Sequence, residues 1–248
     1  MHLLEGRGVT RYFGGLAAIS NVDFHVDQGE TVGLIGPNGA GKTTLFNMAS
    51  GALSPRSGTI LFKGRNITGM KPDRICRMGV ARTFQSVKTF GSMSVLDNVR
   101  AGSLFGAKSK SSPGERAADV EALLEFFGLS SLKATPAADL TLARQKRLEV
   151  ARALATRPEL LLLDELMAGL NPAEVAEAMD MVARIRQRGV TVFMIEHVMK
   201  AIMGMCDRII VLHHGEKIAE GAPREIAANK TVVEVYLGEQ LDTPNQQS

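Results

Sequence analysis

A glycine-rich segment carrying one lysine and one threonine is the strongest chemical signal in the sequence. Residues 36–43 read Gly-Pro-Asn-Gly-Ala-Gly-Lys-Thr and match the pattern G-x-x-x-x-G-K-[ST]. Glycines let the backbone curl so that successive N–H groups point at phosphate oxygens, and a helix that starts here adds positive potential. Lys42 would reach the β- and γ-phosphates, and the Thr43 hydroxyl would ligate Mg²⁺. The segment predicts a nucleoside triphosphate site.

Two adjacent carboxylates follow a run of four leucines later in the chain. Residues 160–163 are all leucine, and Asp164 and Glu165 come directly after them. A buried strand that ends this way delivers its acids to the edge of an α/β sheet where ligands bind. Asp164 suits Mg²⁺, and Glu165 would act as the general base that polarises the attacking water. The glycine-rich segment alone leaves ATPase, GTPase and kinase open, so this acidic pair weighs more in the choice.

The segments around both motifs alternate between strand and helix patterns, which predicts an α/β architecture. Residues 31–36 form a predicted strand, Lys42–Ala49 a helix, and Leu160–Asp164 a second strand. Further strands are expected at 190–195 and 208–212, with helices from Pro172 and near 198–205. Near the N-terminus, Gly29 and Gly58 separate short strands that we expect to be antiparallel.

The helix that starts at Pro172 has well-marked ends. Asn171 can act as its N-cap, Pro172 fits the first helical position, and Glu174 occupies the capping-box position. Gly189 ends the pattern. By contrast, residues 86–155 show helical patterns without strands, including a helix at 115–127, which predicts a helical insertion into the α/β core.

Composition excludes several classes of protein. The 248 residues contain 45% hydrophobic and 22% charged residues, which is the balance of a folded globular chain. No apolar run approaches the roughly 18–20 residues that a membrane-spanning helix needs, and no secretory signal begins the sequence, so we expect a cytoplasmic protein. A net charge of +3 requires no nucleic-acid partner. Cys76 and Cys206 are too few for a disulfide framework and are expected to be structural.

Taken together, the residues resemble the ATP-binding subunits of ABC transporters over nearly the whole chain. Gln85, in Ala-Arg-Thr-Phe-Gln at residues 81–85, lies 43 residues after Lys42 and looks like the glutamine of the family's Q-loop. His197 looks like the switch histidine that contacts the γ-phosphate, and residues 168–171 look like the D-loop. A kinase or GTPase would not explain the spacing of Gln85, Asp164 and His197.

The resemblance implies a site for ATP and Mg²⁺. Catalysis would involve Lys42, Gln85, Glu165 and His197, and the metal would be held by Thr43, Gln85 and Asp164. The adenine would stack on Phe13, with Tyr12 as a second candidate. The phosphates would be bound by the glycine-rich segment and its helix, through Asn38, Gly39, Ala40, Gly41, Lys42, Thr43 and Thr44.

The family signature, usually Leu-Ser-Gly-Gly-Gln, departs from its pattern here. It falls on Leu-Thr-Leu-Ala-Arg at residues 140–144, so Thr141 keeps a hydroxyl but both glycines are replaced. The signature acts in trans, so Thr141, Ala143 and Arg144 would touch ATP held by a partner subunit. The Ala143 methyl would hinder that approach, particularly if its position needs a positive φ. Either Arg144 offsets the lost contact with its charge, or this half-site binds ATP with little hydrolysis.

The resemblance also implies an organisation, a role and partners. One ABC ATP-binding domain would cover 1–238, with a RecA-like core at 1–85 and 156–238, an N-terminal antiparallel β portion, a mixed sheet with flanking helices, and a helical subdomain at about 86–155. Residues 239–248 would form a polar tail. Several motifs point to the branched-chain amino-acid importer branch: residues 13–16, 81–85 with 96–99, 168–172 and the C-terminal residues 221–223 and 234–238.

In that branch, the chain would hydrolyse ATP to power import of branched-chain or related hydrophobic amino acids. It would lie peripherally on the cytoplasmic face of the plasma membrane, paired with a similar or identical ATP-binding subunit beneath two permease subunits, with a solute-binding protein acting indirectly. The alternatives are another transport system, for urea or amides, aromatic acids or lipopolysaccharide, and a mainly regulatory ATP-binding half.

Overall fold

The computed structural model describes residues 2–106 and 112–242. The strands, in chain order, are β1 (His2–Phe13), β2 (Leu16–Asp27), β3 (Thr31–Ile35), β4 (Ser57–Phe62), β5 (Arg65–Asn66), β6 (Val80–Arg82), β7 (Leu160–Asp164), β8 (Thr191–Ile195), β9 (Arg208–His213) and β10 (Glu216–Gly221). The helices are α1 (Lys42–Ala49), α2 (Pro72–Met78), α3 (Val95–Ser103), α4 (Pro113–Phe126), α5 (Leu142–Ala155), α6 (Pro172–Gln187), α7 (Met199–Met205), α8 (Pro223–Ala228) and α9 (Lys230–Asp242).

The described residues divide into two compact units. The first contains the residues up to Gly69 and those from Ile195 onward, and the second contains Met70–Met194. Within the described ranges, no helix is both long enough and apolar enough to cross a membrane.

An antiparallel sheet forms the N-terminal part of the first unit, in the strand order β2-β1-β4-β5. Leu4, Val9, Phe24 and Phe62 are buried, which gives the sheet an apolar face. The antiparallel prediction is confirmed, but β1 and β2 have 12 residues each and are not short. Gly58 lies inside β4 and does not separate strands. A Cβ at Gly58 would lie 2.3 Å from the Gly8 carbonyl oxygen, so the close approach of two strands explains this glycine.

A second group of strands in the first unit is mixed. β3 runs parallel to β9, with Val32 opposite Arg208, whereas β10 is antiparallel to β9. All five residues of β3 are buried, and α1 begins seven residues after the strand ends, at Lys42. The predicted strand, glycine-rich segment and helix are therefore confirmed.

Both cysteines are free thiols, and burial raises the pKa of Cys206 to about 12, which fits its structural role.

The second unit combines parallel strands with helices. β6 pairs in parallel with β7, Val80 opposite Leu160 and Arg82 opposite Leu162, and β8 lies on the other side of β7. The described residues between 86 and 155 form helices, two 3₁₀ turns and one isolated bridge between Ser94 and Pro136. The predicted helix at 115–127 starts two residues earlier, at Pro113, because Ser112 and Glu115 build a capping box in front of it.

The predicted ends of α6 are confirmed. The Asn171 side chain accepts hydrogen bonds from the N–H groups of Ala173 and Glu174, both at 3.0 Å, and Glu174 accepts one from the Asn171 N–H at 2.9 Å. At the C-terminus, α9 continues to Asp242, four residues into the segment predicted as a tail. Residues 243–248 lie outside the described residues.

Candidate nucleotide site

The glycine-rich segment joins β3 to α1 and has no room for side chains at two of its glycines. Gly41 is the N-cap of α1 with a left-handed φ of 101°. A Cβ there would lie 2.3 Å from the Ala18 carbonyl oxygen, and one at Gly36 would lie 2.1 Å from the Leu212 carbonyl oxygen. Close packing therefore fixes the loop, and the first turn of α1 carries no side-chain cap. Backbone N–H groups at such a helix start suit an anion.

Lys42 is almost fully buried, with 6% of its surface exposed. Its Nζ donates to the Gly36 carbonyl at 2.5 Å and to the Pro37 carbonyl at 2.8 Å, so the ammonium group lies against the loop itself. Of the other predicted phosphate-binding residues, Ala40 is buried, Gly41 and Thr44 are half-buried, and Asn38, Gly39 and Thr43 are exposed. The segment thus combines one fixed positive charge with accessible backbone and hydroxyl groups.

Asp164 ends β7, with 2% of the residue exposed. Its Oδ2 accepts a hydrogen bond from Arg82 Nη2 at 2.8 Å, and its backbone N–H donates to Thr83 Oγ1 at 3.2 Å. The other carboxylate oxygen, Oδ1, is buried and has no hydrogen-bond partner among the described residues. A buried oxygen of this kind is costly unless something binds it, and Mg²⁺ prefers carboxylate oxygens, so Asp164 fits the predicted metal role.

Glu165 follows at a strained backbone position. Its φ is 51°, a left-handed conformation that non-glycine residues rarely adopt. Its Oε2 accepts a hydrogen bond from Gln85 Nε2 at 3.0 Å, although the two residues are 80 positions apart. Strain of this sort concentrates at functional sites, where the surrounding structure holds it. Gln85 and Glu165, which the resemblance named separately as catalytic residues, are in direct contact.

Arg82 and Thr83 are site residues that the sequence reasoning missed. Arg82 ends β6, Thr83 follows it, and both contact Asp164. The available signal was their position in the segment 81–85, directly before the glutamine. The sequence does not reveal the parallel pairing of β6 with β7, and this pairing places the two strand ends side by side.

His197 and the aromatic candidates belong to the first unit. His197 is exposed between the buried Glu196 and α7. Phe13, at the end of β1, is 51% exposed and Tyr12 is 42% exposed, so neither is a core aromatic residue. The guanidinium group of Arg11 lies 5.3 Å from the centre of the Phe13 ring.

The signature segment, residues 140–144, which deviates from the family pattern, lies at the start of α5. Thr141 is the exposed N-cap, and its side chain makes no capping hydrogen bond. Ala143 lies in the first helical turn and is not among the described residues with positive φ. Its methyl group therefore causes no backbone strain, and the predicted hindrance to the partner's nucleotide stays a prediction. Arg144 is exposed, and its guanidinium group forms no ion pair with any described residue.

Comparison with known proteins agrees with this geometry. The ABC transporter family model matches residues 19–168, and the model described as branched-chain amino acid ATP-binding cassette transporter matches residues 216–242. The chain is 43% identical to the high-affinity branched-chain amino acid transport ATP-binding protein LivG of Salmonella typhimurium, over 96% of this chain and 98% of LivG. It is 39% identical to BraF of Pseudomonas aeruginosa, which carries the same description, over the same shares.

A solved structure has the same fold. MJ1267, an ATP-binding cassette of an ABC transporter in its ADP conformation, superposes with a TM-score of 0.87 at 30% identity, over 96% of this chain and 99% of MJ1267. The family model, the relatives and the shared fold agree along nearly the whole length. This chain therefore belongs to the ABC transporter ATP-binding family and is an ABC ATPase with that family's α/β P-loop fold.

Proposed function

We propose that the chain hydrolyses ATP to power the import of branched-chain or related hydrophobic amino acids. The support for this solute class is the likeness to LivG and BraF along the full length, together with the C-terminal match at residues 216–242. The solute would bind the permease and binding-protein subunits and would not touch this chain. Its identity is therefore inferred from the likeness to the branched-chain amino-acid transporters.

Phosphate binding is assigned to the segment between β3 and α1. Lys42 supplies positive charge within the loop, where its Nζ lies 2.5 Å from the Gly36 carbonyl oxygen. Backbone N–H groups around residues 38–44 and the helix start of α1 supply neutral donors. An exposed Phe13 or Tyr12 offers a ring face on which an adenine could stack. This combination suits a nucleotide that carries several negative charges.

Mg²⁺ is assigned to Asp164, Thr43 and Gln85. The buried Oδ1 of Asp164, which no described residue contacts by a hydrogen bond, is the observation that supports this set. When bound, Mg²⁺ would neutralise charge on the phosphate oxygens. Arg82 holds the carboxylate of Asp164 from its other oxygen, so the ligand is fixed in position before any ion arrives.

Water activation is assigned to Glu165, and the contact between Gln85 and Glu165 is the observation that carries the proposal. The glutamine amide donates to the carboxylate at 3.0 Å and so orients the group that would accept a proton from water. Gln85 is exposed and uncharged, so its side chain can respond to contacts made by neighbouring subunits. His197 would contact the γ-phosphate.

The partners of the chain follow from the signature segment and the family. Thr141, Ala143 and Arg144 would face ATP in a second ATP-binding subunit, where the uncapped start of α5 and the Arg144 charge suit an anion. Two permease subunits and, indirectly, a solute-binding protein would complete the assembly at the cytoplasmic face of the membrane. The domain division at residues 86 and 155 is proposed on the same family basis.

The proposal is tested by leucine uptake into proteoliposomes that contain the chain with its co-purified membrane and ATPase subunits. ATP-dependent uptake that Glu165→Gln abolishes is expected. Uptake of urea, amides or aromatic acids in place of leucine, or extraction of lipopolysaccharide, would contradict the proposed solute class. It would leave the role of the chain as a transport ATPase intact. Nucleotide binding without turnover in every assembly would identify a regulatory half instead.

A further inference from the structure

Three polar residues form a row along one face of α5. Lys146, Glu149 and Arg152 are spaced three apart in the helix, a spacing that places side chains next to one another. Lys146 is 6% exposed and Glu149 is 4% exposed, which is unusual for charged residues. The sequence gives no reason for burying them, so their contacts must explain it.

Lys146 holds the general-base candidate by its backbone. Its Nζ donates to the Glu165 carbonyl oxygen at 3.0 Å. Glu165 is the residue with the left-handed φ of 51°, so the lysine holds the peptide group that directly follows the strained residue.

Glu149 and Arg152 hold the segment that carries Gln85. Glu149 Oε1 accepts a hydrogen bond from the Lys88 N–H at 3.2 Å, and Arg152 Nη2 donates to the Lys88 carbonyl oxygen. Burial raises the pKa of Glu149, while the Lys88 N–H, Arg152, the Phe84 N–H and Lys146 oppose that shift. The guanidinium group of Arg152 also lies 5.0 Å from the Phe90 ring centre.

The two ends of this segment are held by hydrogen bonds of their backbone N–H groups. Thr83 is anchored by its N–H to the Leu162 carbonyl at 2.9 Å, and Phe90 by its N–H to Asn98 Oδ1 at 2.9 Å. Between these two anchors the side chains of Phe84, Gln85 and Ser86 are exposed. Among described residues, the backbone hydrogen bonds of this stretch go to Glu149 and Arg152.

We propose that Lys146, Glu149 and Arg152 are positioning residues that make the geometry of the Gln85–Glu165 pair follow the position of α5. The helix is a stiff element whose exposed start carries Thr141, Ala143 and Arg144. Contact of that start with a neighbouring nucleotide would then adjust this chain's own water-activating pair. The inference rests on the proposed function, because it gives Gln85 and Glu165 their roles in hydrolysis.

Turnover by the full chain, in the assembly with its co-purified subunits, provides the first test. Glu149→Ala is expected to lower kcat about tenfold with the KM for ATP within about twofold, because phosphate binding is assigned to the loop before α1. Glu149→Gln keeps one carbonyl acceptor for the Lys88 N–H and is expected to lose only about threefold. Glu125→Ala, at an exposed glutamate in α4, is the matched control and is expected to change neither constant.

A double-mutant cycle separates positioning from general weakening. If Glu149 acts through Gln85, Glu149→Ala has less than about a twofold effect in the Gln85→Ala background. A tenfold loss in both backgrounds would overturn the proposal. Should Glu165→Gln hydrolyse ATP normally in the same assay, the proposed function fails instead, which distinguishes the two.

Hydrogen exchange tests the contacts of Glu149 and Arg152 with residue 88 without measuring hydrolysis. Amides of residues 84–89 are expected to exchange faster in Glu149→Ala than in wild type or Glu125→Ala, because the Lys88 N–H loses its acceptor. Arg152→Gln, which removes the Lys88 carbonyl contact, should have the same local effect and serves if Glu149→Ala does not fold. Unchanged exchange across 84–89 in both variants would contradict the inference.

Discussion

Arg82 Nη2 donates to Asp164 Oδ2 over 2.8 Å, with the arginine side chain 7% and the aspartate side chain 1% exposed. The pair joins the end of β6 to the end of β7 across 82 positions of sequence. It occupies one carboxylate oxygen, while the other, Oδ1, is buried and receives no hydrogen bond from the part of the chain that the structure describes. Asp164 is thereby a fixed carboxylate with one oxygen available to a cation.

Replacing this carboxylate should affect both metal dependence and stability. Asp164→Asn keeps the shape but removes the charge, so turnover should fall at least about a hundredfold and Mg²⁺ should no longer tighten nucleotide binding. The buried Arg82 would also lose its counter-charge, at a cost of about 3 kcal/mol. Mg²⁺ titrations of nucleotide affinity and thermal unfolding measure the two effects. Asp180→Asn, at an exposed site, is the control, and a wild-type Mg²⁺ response in Asp164→Asn would contradict the assignment.

The lysine of the glycine-rich loop should control nucleotide affinity. Lys42→Ala removes charge-assisted hydrogen bonds to phosphate, and a loss of about 2–3 kcal/mol corresponds to roughly 30–150-fold weaker binding. Equilibrium binding of ATP to the purified chain measures it. Lys133→Ala, which removes an exposed lysine paired with Glu121 at 3.0 Å, should bind ATP normally. Wild-type affinity in Lys42→Ala would remove the basis for the phosphate site.

The ion-pair cluster around the half-buried Arg208 should matter for stability in the first unit. Arg208 donates to both Glu30 oxygens, at 2.9 and 2.8 Å, and to the His25 carbonyl at 2.9 Å, and it also pairs with Glu220. Burial on its own would lower the pKa of Arg208, but the hydrogen bonds and charges of Glu30 and Glu220 raise that pKa above its usual value. Arg208→Gln should therefore lower the free energy of unfolding by about 2–3 kcal/mol and Tm by roughly 5–10 °C.

Calorimetry or thermal circular dichroism measures that change. The matched control is Arg77→Gln, whose partner Asp73 lies 3.8 Å away on an exposed helix surface. Exposed pairs of this kind contribute little, so Tm should not move measurably. Equal shifts for the two variants would show that the Arg208 cluster has no special role.

The signature segment should act on the partner's nucleotide and not on this chain's own. Arg144→Ala is expected to lower turnover of the assembled complex about tenfold, because an exposed charge that faces phosphate is lost. ATP affinity of the isolated chain should stay unchanged. Arg116→Ala, in α4, is the control. If Arg144→Ala leaves turnover intact, the arginine does not offset the missing glycines.

Sequence patterns predicted the segments whose local signals are strong. Residues 160–164 form β7 because four leucines can be buried on both faces of a strand, and Lys42–Ala49 forms α1 because the glycines before it end the preceding strand. Asn171 and Glu174 marked the start of α6 because both partners of a capping box are close in sequence.

Elements stabilised by distant partners were not predicted. β6 has only three residues and exists through its pairing with β7. β1 is interrupted by register shifts near Gly6 and Val9, which break the alternation that would reveal a long strand. The role of Glu149 was equally hidden, because a glutamate on a helix resembles a solvent-facing residue and its partner is a backbone N–H 61 positions away.

The proposed function depends most on Glu165 as the residue that activates water. Steady-state ATP hydrolysis by the chain in its assembly, compared between wild type, Glu165→Gln and the exposed control Glu125→Gln, tests that role directly. Glutamine keeps the size of the side chain and its strained backbone, so ATP affinity should stay within about twofold while turnover falls at least about a hundredfold. Turnover of Glu165→Gln within about twofold of wild type would contradict the account.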